Sequence, residues 1–216
     1  MKKGKGHNGT ILFLLIFFIT GAVGLNLEVS RSLFLIMVPW SLVLSYLFLV
    51  AYHRSSMNAK AILAFCIIAV LGFFVETAGV FTGHIFGSYE YGKTLGLSLF
   101  SVPLLIGTNW AMLAYAAHLM MERLKGSPVW KVLLGALMMT AYDFLMEPVA
   151  VALDMWQWKD GIIPLQNYIA WFVLSVIMLA MLQAMKLKYR NPIAIALFVI
   201  QALFFGIQHL ILYIRP

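Results

Sequence analysis

The chain has 216 residues, 63% of them hydrophobic and only 11% charged, with a formal net charge of +7 at neutral pH. So little polar surface cannot cover a domain of this size in water, which excludes a soluble globular protein. The basic residues fall in short clusters beside apolar runs, which reads as membrane topology and excludes a nucleic-acid footprint.

Seven apolar segments are each long enough to cross a ~30 Å hydrocarbon core as a helix. The first, 10–27, follows Lys2, Lys3 and Lys5 and superficially resembles a secretory signal. It is about a full span long and lacks a clear small-residue cleavage site before Glu28, so it is read as a retained transmembrane helix. The others are 33–52, 59–78, 102–121, 129–153, 168–185 and 193–213. Continuous apolar runs, rather than strict alternation, disfavour a β-barrel. The expected fold is therefore all-α: one integral membrane domain over 1–216, a polytopic bundle of about seven transmembrane helices.

With the N-terminus inside, the inner segments hold eleven Lys or Arg and the outer segments four, Arg31, Lys93, Lys159 and Arg215. That bias predicts a cytoplasmic N-terminus and a multi-pass protein of the inner cell membrane. Two outer connections, 79–100 and 155–167, combine Gly and Pro with aromatics, and are expected to lie in the interface or fold back over the bundle. The lone Cys66 excludes intramolecular disulfides and any cysteine-rich metal site.

Three carboxylates interrupt the apolar spans: Glu76, Asp143 and Glu147. A charged Asp, Lys or Arg at a helix centre costs about 2.5–3.5 kcal/mol to insert, so such groups usually face the protein interior and carry function. Asp143 and Glu147 are four residues apart, about 40° around a helix, hence on one face. Glu76 is expected to close the third span at its outer end. Asn109 and Trp110 in the fourth span, and Asn167 and Trp171 opening the sixth, fall at similar depth. A lone buried Asn more often just bonds a neighbouring helix. Three acids without an intramembrane Lys or Arg favour a functional role, and at least one is expected to carry its proton and to be able to give it up.

His84, His118 and His209 show no metal-ligand spacing and read as satisfied or interfacial histidines. Gly79, Gly83 and Gly87 form a ladder that marks close packing better than a phosphate cradle. The absence of Asp-rich, nucleotide-binding and serine-elbow motifs disfavours prenyl transfer, ATP-driven transport and serine hydrolysis.

The stretch Glu76-Thr-Ala-Gly-Val-Phe-Thr-Gly-His-Ile-Phe-Gly-Ser-Tyr-Glu-Tyr91, followed by Leu95-Gly96, Val102-Pro103 and Trp110, resembles the membrane carotenoid biosynthesis proteins. So does Ala141-Tyr-Asp-Phe-Leu-Met-Glu-Pro148, followed by Trp156, Trp158, Gly161, Pro164, Asn167 and Trp171. That family includes the CruF-type carotenoid 1,2-hydratases and the bisanhydrobacterioruberin hydratases. Glu147 departs from the Asp usual before this Pro, and Ile162-Ile163 from an expected Gly and aromatic.

The resemblance implies a hydro-lyase of carotenoid biosynthesis, acting on a carotenoid held in the bilayer. It would add water across the terminal 1,2 double bond of an acyclic ψ-end group to give a tertiary alcohol. Such hydration is redox-neutral and calls for no metal or redox cofactor. Asp143 or Glu147 is then the expected acid, protonating C-2, with Glu76 orienting water or accepting its proton. Trp110, Tyr142, Trp156 and Trp171 are expected to face the cation through their rings. Asn109, Trp158, Asn167, Tyr89 and Tyr91 complete the expected substrate-binding set. A carotenoid end-group cyclase shares the first step and is the alternative. A proton-coupled transporter and a purely structural assembly protein are more distant ones, the former disfavoured by the lack of inverted repeats.

Overall fold

The computed structural model describes residues 5–53, 59–186 and 190–214. Of the basic residues that set the expected orientation, Lys2, Lys3, Arg54, Lys188 and Arg215 lie outside them. Within them the chain forms seven helices: α1 (Lys5–Asn26), α2 (Glu28–Ala51), α3 (Ala59–Thr82), α4 (Leu105–Met121), α5 (Pro128–Ala152), α6 (Leu165–Ala184) and α7 (Ala194–Ile214). Four short strands, β1 (Tyr89–Tyr91), β2 (Ser98–Leu99), β3 (Val102–Pro103) and β4 (Trp156–Trp158), lie in the connections at one end. The protein is an all-α, multi-pass membrane helix bundle.

Six of the helices are long and apolar enough to cross a membrane. The exception is α4, whose 17 residues span about 25 Å at 1.5 Å per residue. It is the innermost helix, buried along nearly its whole length and touching α2, α3, α5, α6 and α7. Small residues allow this. A Cβ on Gly107 would stand 2.3 Å from the Ala69 carbonyl oxygen, and one on Gly72 would stand 2.8 Å from Trp110 Cβ. The α3 and α4 backbones therefore meet as closely as membrane helices joined through small residues do.

Helix ends follow local chemistry. Ser127 caps α5, its Oγ accepting from Trp130 N–H at 3.2 Å, with Pro128 at the first helical position. Gly83 stops α3 at φ +65°, its N–H donating to Gly79 O at 2.8 Å. The fourth span starts at Leu105 rather than residue 102, because Val102–Pro103 pairs with Ser98–Leu99 in a hairpin. The third runs on to Thr82, so Glu76 sits more than a turn inside α3 rather than at its tip.

The two aromatic connections do fold back over the bundle, and they join. β1 and β4 pair antiparallel, Tyr89 opposite Trp158 and Tyr91 opposite Trp156. Gly92 N–H donates to Met155 O at 2.9 Å and Thr94 Oγ1 to Leu153 O at 2.8 Å, tying one loop to the end of α5. Arg31 reaches from the first turn of α2 to the last carbonyl of α5, its Nη2 donating to Ala152 O at 2.9 Å. A cation at a helix C-terminus is favoured there.

Candidate active site

The β1–β4 ribbon is a donor platform. Successive side chains of a strand point to opposite faces, so Tyr89, Tyr91, Trp156 and Trp158 share one face while Glu90 and Gln157 point away. That face lies over the carboxylates. Tyr89 Oη donates to Glu76 Oε2 at 2.5 Å and Tyr91 Oη to the same oxygen at 2.8 Å. Trp110 Nε1 of α4 donates to Glu76 Oε1 at 2.9 Å. Across the ribbon, the Nε1 groups of Trp156 and Trp158 each donate to Glu147 Oε2 at 2.9 Å.

Asn167, in the first turn of α6, completes the set. Its Nδ2 donates to Asp143 Oδ2 at 2.8 Å and to Glu147 Oε1 at 3.1 Å. Asp143 and Glu147 lie on one face of α5, as their spacing requires, and share this single amide. All three acids and Asn167 are buried. Glu76 and Glu147 thus each receive three donors, whereas Asp143 receives one, and its Oδ1 has no hydrogen-bond partner among the described residues. Hydrogen bonds to an ionised group run about 1.5–3 kcal/mol each, so the difference is large.

Burial, and next the adjacent Glu76 carboxylate, push the Tyr89 and Tyr91 phenols well above the usual phenol range. They therefore remain protonated and each keeps an O–H to donate to Glu76. The rings brace one another: Tyr89 lies 5.1 Å from Trp158, Tyr91 lies 6.0 Å from Trp156, and Trp110 stacks on Trp171 at 4.0 Å. The glycine ladder serves this packing. A Cβ on Gly79 would stand 2.6 Å from the Phe86 ring, and Gly87, at φ +112°, leaves space filled by Pro164.

Two cavities lie side by side here. The smaller, about 30 Å³, is walled by Glu76, Glu147, Asn109, Asn167 and the aromatics. One water needs about 10–15 Å³, so it holds about two. The larger, about 370 Å³, is apolar and lies between α1, α2, α5 and α7. Ile106, Asn109, Met146 and Trp156 line both. Asn109 is half-buried there, its amide on the wall of both cavities.

A family model described as carotenoid biosynthesis protein matches residues 33–213. The chain belongs to the carotenoid biosynthesis proteins. No curated protein and no solved structure matches it. Membership places it in carotenoid biosynthesis, and its apolar spans suit a carotenoid substrate within a membrane.

In this family member the sequence-singled residues divide into three groups. Glu76, Tyr89, Tyr91, Asn109, Trp110, Glu147, Trp156, Trp158, Asn167 and Trp171 all line the smaller cavity. Tyr142 lines only the larger one. Asp143 lines neither, lying one helical turn behind Glu147. The motifs missed the walls contributed by α1, α2 and α7, among them Gly21, Ser41 and Gln201. A buried Gln and a Ser within otherwise apolar spans were the available signals.

Proposed function

We propose that the protein is a carotenoid hydratase, adding water to the terminal 1,2 double bond of an acyclic ψ-end group. The observation that carries this reading is a water-sized cavity bearing two carboxylates beside an apolar one, with Ile106, Asn109, Met146 and Trp156 lining both. The end group would lie in the apolar cavity with its terminal double bond at the junction. Water would wait in the polar cavity between Glu76 and Glu147.

Glu147 is the acid in this scheme, because it lines the polar cavity and Asp143 does not. Its Oε2 is occupied by two indole N–H groups, leaving Oε1 to carry the proton. That proton goes to C-2, and the positive charge then sits on tertiary C-1. The carboxylate left behind is met by three donors already in place, so the charge that develops needs no reorganisation. Trp156, at the junction, is best sited to face the cation, a contact worth about 0.5–2 kcal/mol. Water oxygen bonds C-1, and Glu76 takes the proton the water sheds. A second water in the cavity can return that proton to Glu147. Asp143 is a positioning residue, acting on Glu147 through their shared Asn167.

A cyclase would require water to be kept from the same cation, and a polar cavity between two carboxylates suits that poorly. The basic-residue bias supports an N-terminus in the cytoplasm and a place in the inner cell membrane. The test is expression in cells accumulating lycopene or γ-carotene, with pigments analysed by mass. A gain of one water is expected; an isomer of unchanged mass would replace this reading with cyclisation.

A further inference from the structure

The larger cavity, about 370 Å³, lies near the lower end of the ~300–1,000 Å³ that enclose a drug-sized ligand. It can take one end of a carotenoid, but not a polyene comparable in length to the ~30 Å hydrocarbon core. The remainder must leave sideways into lipid. The seam between α1 and α2 is where the cavity lies nearest the lipid-facing surface.

Near the α1–α2 turn the seam is shut by Phe34, whose ring lies 2.2 Å from where a Cβ on Gly24 would stand. Toward the other end it is shut by the rings of Phe13 and Phe48, 5.7 Å apart. Between these closures the residues that line the cavity also face outward: Ile16 is 56% exposed, Met37 40%, and Thr20 is exposed as well. There the wall between the cavity and the lipid-facing surface is a single side chain thick, and aliphatic or small rather than aromatic. Beside it, Gly21 lines the cavity, and the nearest atom to a Cβ built there is Phe204 Cε2 at 4.0 Å. The backbone is bare where a side chain would fit.

We infer, on the reading that the protein acts on a carotenoid end, that the polyene leaves the chamber through the α1–α2 seam. Gly21 then sets how much of the end group the chamber admits. Helix α1 lies outside the residues that match the family model. This determinant of substrate size therefore sits on a segment that the family pattern does not describe.

The test uses the full chain in lipid nanodiscs loaded with lycopene, and reads both retained pigment and product. Gly21→Leu should reduce retained lycopene by about tenfold or more, since filling a formed cavity excludes its occupant. Glu147→Gln should retain pigment as the unaltered protein does while losing product. Independently, in a Cys66→Ala background, bound lycopene should slow labelling of Thr20→Cys by a membrane-permeant maleimide about tenfold or more, and leave Leu12→Cys unaffected. Undiminished retention in Gly21→Leu, or absence of protection at position 20 while pigment is bound, would overturn the portal and leave the hydratase reading standing. An unaltered protein that retains no lycopene would overturn both.

Discussion

The two cavities are neighbours built on opposite principles. The polar one is held by directional bonds from distant parts of the chain: two phenols and an indole on Glu76, two indoles and an amide on Glu147. The apolar one is held mainly by shape, between helices α1, α2 and α7, with few side-chain hydrogen bonds joining them: Gln201 Nε2 to Ser45 Oγ at 3.4 Å and Asn26 Nδ2 to Gln208 Oε1 at 2.7 Å. A polar cavity in lipid must satisfy each buried group or lose stability, whereas an apolar one can change volume at little electrostatic cost. Chemistry is therefore expected to depend on single atoms at one side and on size at the other.

The comparison breaks most clearly at Glu147. Glu147→Gln removes the transferable proton and turns its amide toward the Asn167 donor; turnover should fall by about 10²–10⁴, the usual contribution of general acid catalysis, with bound pigment unchanged and a stability loss of about 1–3 kcal/mol at most. Undiminished turnover would remove Glu147 from the acid role. Glu76→Gln comes next. Its amide would turn a donor toward donors, costing about 1–3 kcal/mol, so thermal stability and turnover should fall together.

Asp143→Asn sharpens the distinction between an acid and a residue behind it. Because Asp143 accepts one hydrogen bond and has an oxygen without a partner, its amide fits with little loss of stability. A drop in turnover of about tenfold is expected, in line with a lost positioning contact. A loss as complete as that of Glu147→Gln would move the acid to Asp143. Trp156→Phe or Trp158→Phe removes one N–H from Glu147 Oε2, and each should cost about 1.5–3 kcal/mol of the stabilisation that the developing carboxylate receives.

The smallest effect is expected at Tyr91→Phe, since Tyr89 and Trp110 still reach Glu76. Its signature is in pH. Folding holds both phenols above the usual phenol range, so the stability they contribute is intact below about pH 10. Above that pH the unfolded chain ionises and the folded one does not, and stability declines. Thermal melts should be flat with respect to these groups up to about pH 10 and fall beyond it, less steeply in Tyr91→Phe.

Hydropathy made the helices legible, and the isolation of Glu76, Asp143 and Glu147 in apolar spans pointed to the buried cluster. Periodicity placed Asp143 and Glu147 on one face but could not show that Glu147 borders a cavity while Asp143 does not. That difference depends on the ribbon, whose strands lie more than sixty residues apart in sequence and are too short to carry a pattern. The same limit hid α1 and α2: Gly21 and Thr20 look like ordinary small residues of a span until the fold brings Phe204 near Gly21 and sets both on one cavity wall.

The most direct measurement is incubation of the purified chain with lycopene in ¹⁸O-labelled water, followed by mass analysis of the pigment. Hydration between Glu147 and Glu76 should give a product heavier by one labelled water, with ¹⁸O in its hydroxyl, and none from Glu147→Gln. An isomeric product without ¹⁸O would contradict it.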